Sequence, residues 1–443
     1  MIVDHYGGRH ATASRTAVAA FDQAVSCLAR HRPGAAEAIA EALANDPDLI
    51  SAHALRGLAS VFLARSECMQ AARRDHAQAN ALAQRRTDAS DDEKALVAAL
   101  GYAVEGRLLA AADILDRALQ DRPTAFLLVK ASNALRFMAG DLGGMLATTQ
   151  RVLPSWTDER PGAGFVLGCH AFGLEEAGQL ADAERIGLRA AELEPDDAWA
   201  MHAVSHVHET QMRTAEGVAW LEQSRPRWSR CHNFRFHLSW HLALFELERG
   251  RLDRVLALYD EEVRPTPTDD FRDVANAASL LWRLEQEGVA VGDRWAELAM
   301  IARRRSQDVT LVFASLHHLL ALVGAGARGE ALALVQALEA EPRGDQAVVA
   351  QRAGIDVARV ILGLDRGGAA RAVASRLHLL GGSHAQRDVF LRILALAAAD
   401  RGDRSGYDTV LACRSGLRRE DRFARFAADR LARAEAAQRR RVA

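Results

Sequence analysis

Between Met201 and Gln211 the chain reads MHAVSHVHETQ, which sets His202, His206, His208 and Glu209 within eight residues. A second run, RFHLSWHLALFELERG, adds His237 and His241 four positions apart. Imidazoles and carboxylates are donors that Zn²⁺ and Fe²⁺ take, and HxxE, present at His206–Glu209, is a spacing used by chelating residues on bundle helices. An imidazole beside a carboxylate also titrates near neutral pH, as a general acid or base must. The zinc-protease pattern HExxH is not completed, because Met212 stands where its second histidine belongs. His202, His206, Glu209 and His237 are the candidate metal ligands, for Zn or Fe. His206, Glu209, His237 and His241 are the candidate catalytic groups.

These side chains can meet only if their elements are helices held in register. The chain is rich in Ala, Leu, Arg and Glu, has 10 prolines and 6% aromatics, and lacks the alternation of strands. EGRLLAAADILDRALQDRP and AGQLADAERIGLRAAELEP align directly, each with alanine five and twelve residues after the glycine and proline seventeen after. Marker positions at Gly106, Gly140, Gly178, Met212 and Gly250 are spaced alternately 34 and 38 residues apart. That is the tetratricopeptide period, one helix–turn–helix per unit. Looser copies begin at Gly326, Gly363 and Gly402. The expected fold is all-α, a tetratricopeptide-type α-solenoid of stacked antiparallel helix pairs, continuous over 1–443. Within it, 1–45 is an atypical N-terminal cap, 46–265 holds the clearest units, 266–415 holds degenerate repeats, and 416–443 is a C-terminal capping helix with a basic tail. Weak points are expected at RPTPTDDFRD (264–273) and EAEPRGDQA (339–347).

In repeats of this type the first helix lines the concave face, usually through the second, fifth, ninth and twelfth positions. Counting from Ala198, His202, His206 and Glu209 take the last three of these, and at about 100° per residue they share one stripe. Glu175 is the twelfth residue of the preceding unit, His237 and Trp240 are the second and fifth of the following one, and His241 borders the same surface. The register predicts that these groups face one cavity.

Hydrophobic residues make up 49% of the 443, charged residues 26%, and net charge is −2. A large core is expected, and neither nucleic acid nor an acidic membrane is indicated as partner. The five cysteines form no CxxC, which points to a reducing compartment. No secretory signal is expected at the N-terminus. The uncharged stretch from Val309 to Ala327 holds His317 and His318 at its centre and reads as a buried helix hairpin rather than a membrane span. A cytoplasmic protein is the expectation. No GxSxG, phosphate-binding loop or dinucleotide fingerprint occurs. In GGSHAQRD (381–388), Ser383 is placed to cap a helix, with His384, Arg387 and Asp388 near its start, where an anion could sit or an Arg–Asp pair form.

The run from PGAGFVLGCHAFGLEEAGQLADAERIGLRAAELEPDDAWAMHAVSHVHE through FHLSWHLALFELERG, LALYDEEV, SLLWRLEQEGVAVGDRW and LGGSHAQRDVF resembles the tetratricopeptide repeat protein 38 family, over roughly Asp46 to Ala399. The resemblance implies an all-helical fold without a general assigned activity. It places the family's motif histidines at His170, His202, His206, His237, His241, His317 and His384, with Glu175, Glu176 and Glu209. Three departures stand out: Leu238 and Ser239 within HLSWH, Asn276 where an acid is usual, and Ser315 two before His317. Fewer carboxylates weaken a hard-metal site and leave an imidazole-rich cavity. Glu175, His170, His202, Trp240, His317, His384 and Arg387 complete the candidate binding set. The leading expectation is recognition of a small ligand or peptide in a His/Glu-lined concave pocket. The alternative is an enzyme using the same cluster, as a metal-assisted hydrolase or oxygenase or as a metal-free acid–base catalyst.

Overall fold

The computed structural model describes residues 1–365, 367–415, 418 and 421–442. Residues 416, 417, 419, 420 and 443 of the expected C-terminal cap, and Arg366 in the repeat beginning at Gly363, lie outside the described residues. Among those described, helix follows helix from Arg15 to Val442, preceded by one antiparallel ribbon of Ile2–Val3 with Arg9–His10.

What makes the helices into pairs is a left-handed residue after each first helix. His31, Ala64, Gly106, Gly140, Gly178, Met212, Gly250, Gly288, Gly326, Gly363 and Gly402 all have positive φ. Around them the chain turns back on the helix it has just left. Arg107 N donates to Tyr102 O at 3.0 Å, Gln179 N to Leu174 O at 2.9 Å and Arg251 N to Glu246 O at 3.0 Å, closing orphan carbonyls as a Schellman turn does. Met212 joins this series with φ +58, so the unit lacking the marker glycine still makes the turn. Gly288 carries a unit that no motif marked. The protein is therefore an all-α chain of tetratricopeptide-type helix pairs.

First and second helices differ in how much they bury. Ala163–Glu176 is buried on nearly every side, whereas its partner Leu180–Leu193 buries only Ala183, Gly187, Ala190 and Ala191. Close approach explains the small residues: a Cβ on Gly187 would lie 2.8 Å from Val204 Cγ2, and one on Gly324 would lie 2.4 Å from the Trp295 ring. A polar side chain on a first helix must therefore find its partner inside the protein.

The chain divides into two compact units, one of Met1–Val207 with Leu221–Arg235, the other of His208–Trp220 with the chain from Phe236 onward. The two stretches expected to be weak points both lie inside the second unit. The first unit has a continuous core of alanine, leucine and valine running from Tyr6 to Val166. In the second, a buried charge network holds the helix Arg422–Val442 against His384–Asp400. Asp388 accepts from Arg392 at 2.7 Å and Arg414 at 2.6 Å, Arg414 also reaches Asp421 at 2.9 Å, and Glu248 accepts from Arg392 at 3.2 Å. Burial acts to raise the Asp388 carboxyl, but Arg414, Arg392 and Arg283 outweigh it and hold it well below the usual carboxylate range. The uncharged Val309–Ala327 stretch forms the helix Val312–Gly324, which turns at Gly326 into Arg328–Ala340. No described helix is long and apolar enough to cross a membrane.

Gly326→Ala tests the turn. An added Cβ there meets nothing within 4 Å, so the expected cost of about 1 kcal/mol comes from φ alone. Thermal unfolding followed by circular dichroism should show a lower midpoint for Gly326→Ala and a level or raised one for Ala64→Gly. An unchanged midpoint in Gly326→Ala would remove backbone strain as the reason for glycine.

Candidate functional site

In the first unit, Ala163–Glu176 carries Glu175 near its C-terminal end, and Ala198–Thr210 carries His202 and His206 one turn apart. The two Nε2 atoms lie 3.0 Å apart, and Nδ1 of His206 lies 3.3 Å from a Glu175 carboxylate oxygen. All three side chains are buried, His202 and Glu175 at 1% exposure and His206 at 0%. An aromatic wall fixes the rings. His202 stacks on Phe172 at 5.5 Å and meets Phe234 edge-on at 5.3 Å, while Trp199 lies 5.0 Å from it. His170 stands apart: it is half-buried, and its Nδ1 lies 3.0 Å from the Thr149 hydroxyl. Burial pushes its pKa down, with Asp182 opposing.

In the second unit, His237 and His241 lie one turn apart on Phe234–Glu248, with ring centres 4.8 Å apart. Each Nδ1 faces an oxygen acceptor. Asn276 Oδ1 lies 2.9 Å from His237, and Glu209 Oε2 lies 2.8 Å from His241. In a neutral ring, donation from Nδ1 leaves Nε2 as the lone-pair nitrogen. The other Glu209 oxygen pairs with Arg418. Trp240 is fully buried, and its indole N–H donates to the Ser279 hydroxyl at 3.1 Å. It therefore packs in the core beside His237.

The remaining predicted residues of this unit have partners of their own. His317 Nδ1 donates to Phe313 O at 2.8 Å, and His384 Nε2 lies 3.2 Å from the Thr210 hydroxyl. Ser383 and Gln386 form a reciprocal capping box at the start of His384–Asp400, so an anion there would have to displace the cap. Arg387 donates to the carbonyls of Gly381 and Gly382, while the neighbouring Asp388 pairs with Arg392 and Arg414. Of the expected candidates, Glu175, His170, His202 and His206 belong to the first unit, and Glu209, His237, Trp240, His241, His317, His384 and Arg387 to the second.

Sequence reasoning missed Arg418, Arg283 and the Asp388–Arg392–Arg414–Asp421 network. Their only signal is charge at positions where a buried helix repeats apolar residues, as in RDVFLRILALAAAD. It also passed over Asp4, His10 and Ser51, which no local motif links.

No family model matches the chain. Among solved structures the chain is similar to the TPR domain of P58(IPK), with 14% identity over 80% of this chain and 90% of that one and a TM-score of 0.21. A superposition that loose leaves the fold to rest on the chain's own helix pairs.

Burial dominates the electrostatics. It pushes His237 down to about 3, with His241 adding and Asn276 opposing. It pushes His317 down to about 3 and His318 to about 4. In the unfolded chain these imidazoles bind protons below about 6.5, whereas in the folded protein they stay neutral. The unfolded state therefore holds more protons in that window, and stability falls as pH drops from about 6.5 toward 4, by up to about 1.4 kcal/mol per pH unit for each group. Asp197, raised to about 7, and Asp273, raised to about 6, contribute in the opposite sense. The check is therefore a difference: urea midpoints between pH 7 and pH 4 should fall less steeply for His318→Gln than for the parent chain.

Proposed function

We propose that this helical-repeat protein binds a divalent transition-metal ion, Zn²⁺ or Fe²⁺, inside its first unit, through Nε2 of His202 and Nε2 of His206. The observation that carries the reading is the pair of buried Nε2 atoms 3.0 Å apart with Glu175 behind His206. Two nitrogens bound at about 2.05 Å to one tetrahedral zinc stand about 3.3 Å apart, close to the spacing found. Glu175 stands where a carboxylate takes the Nδ1 proton of a metal-bound histidine, fixing the tautomer and raising ligand basicity. The same local arrangement in the second unit, with Glu209 behind His241 and Asn276 behind His237, supports the reading. A peptide lying in a groove would use exposed side chains, and these are buried, so an ion-sized ligand fits them better. Metal-assisted hydrolysis or oxygenation is the chemistry such an ion would supply.

The test is elemental analysis of the untagged chain, followed by Co²⁺ titration of chelator-treated protein read by visible absorption. Bound metal is expected to be lost in His206→Ala and His202→Ala, and weakened about 10- to 100-fold in Glu175→Gln. Proton and metal compete for the same nitrogens, so affinity should fall on acidification. His170→Ala should leave it unchanged. A protein that takes up no Co²⁺, or a spectrum that survives His206→Ala, overturns the reading.

A further inference from the structure

The N-terminal ribbon of the first unit brings a carboxylate, an imidazole and a hydroxyl into line. His10 Nε2 lies 2.9 Å from Asp4 Oδ2, and His10 Nδ1 lies 2.6 Å from Ser51 Oγ. Asp4 is itself held by Gly8 N, which donates to Oδ1 at 2.6 Å. A carboxylate only accepts, so Nε2 carries the ring proton and Nδ1 presents a lone pair to which the Ser51 hydroxyl donates. All three groups are buried, at 9%, 3% and 0% exposure for Asp4, His10 and Ser51. This is the order of groups that activates a serine, with the two ring nitrogens exchanged relative to the usual relay.

Two further observations point to a ligand. Asp4, His10 and Ser51 line one small cavity, whose other walls include Val25, Leu96 and Leu128. Asp92 lines it too, and its buried Oδ1 has no hydrogen-bond partner among the described residues. A buried acceptor on a cavity wall calls for a bound water or a donor on a ligand. Ser51 is also the second residue of the helix Ile50–Phe62, where the amides of Ile50 and Ser51 have no carbonyl one turn behind them in the helix. That positive end favours an oxyanion forming beside Oγ.

We infer that Ser51 is the nucleophile of an acyl-transfer site that hydrolyses small carboxylic esters, with an acyl group from acetyl to butyryl seated on the apolar wall. His10 Nδ1 takes the hydroxyl proton as Oγ bonds to the ester carbonyl carbon and the carbonyl electrons move to oxygen. Collapse breaks the bond to the leaving alkoxide, which receives the proton from His10. A water deprotonated by the same nitrogen then attacks the acyl-serine, releasing the carboxylic acid and restoring the hydroxyl. Asp4 holds the ring in the required tautomer and stabilises the imidazolium, as a positioning residue.

The experiment uses the full chain with a fluorophosphonate reporter, peptide mass spectrometry, and p-nitrophenyl acetate and butyrate turnover. The expected result is an adduct on Ser51, absent in His10→Gln, and turnover that falls at least 100-fold in Ser51→Ala and in Asp4→Asn. Rates should be insensitive to chelator, which separates this site from the metal reading. Ser60→Ala should behave as the parent chain. Circular dichroism on each variant establishes that it is folded. No adduct on Ser51 in folded protein, or ester turnover unchanged by Ser51→Ala, overturns the inference.

Discussion

Everything in this molecule depends on how completely the first helix of each pair is buried. A helix such as Ala163–Glu176 or Phe234–Glu248 has protein on nearly all sides, so it has little solvent face on which to leave a charge. Each histidine or carboxylate it carries must be answered by another side chain or by a backbone group, because leaving a buried polar group unmet costs about 1–3 kcal/mol. The left-handed turn residues make this burial possible. They return the chain so tightly that the second helix can cover the first, with Gly187 and Gly324 letting neighbours approach.

That constraint explains the character of the interior. Histidines held away from water stay neutral, as His237, His317 and His318 do, and a neutral imidazole is the form that binds a metal or accepts a proton. Carboxylates respond according to their company. Asp388, among three arginines, stays ionised, whereas burial raises Asp197 to about 7 despite Lys130 and the amides of Ala200 and Trp199. One kind of burial therefore produces both permanently charged and readily protonated acids, and the difference lies in the cations beside them.

The histidines themselves were legible. His202 and His206, and again His237 and His241, are one turn apart, and a spacing of four on a helix puts two side chains on one face whatever surrounds it. The repeat was legible too, because the turn needs a residue that tolerates positive φ at a regular interval. Met212 could be placed only by counting, since nothing in its chemistry announces a left-handed turn. Trp240 was read as a groove residue; its bond to Ser279 was not legible, because periodicity reports which stripe a residue occupies and not what stands opposite it. The Arg414–Asp388 pair and the Asp4–His10–Ser51 line were invisible, since their members lie 26 to 41 residues apart or on a ribbon of two-residue strands.

Composition and period by themselves determined that the chain is helical, that its helices come in pairs, and which residues share a helix face. These are local properties, set by backbone preferences and by 3.6 residues per turn. Only the tertiary structure decided what stands behind each histidine: Glu175 behind His206, Glu209 behind His241, Asn276 behind His237, Thr149 beside His170. The first three pairings join helices one repeat apart and the last joins consecutive helices, and all follow from how far each helix is rotated and how closely it packs. That rotation is the sum of many small contacts spread over the core, and no short stretch of sequence contains it.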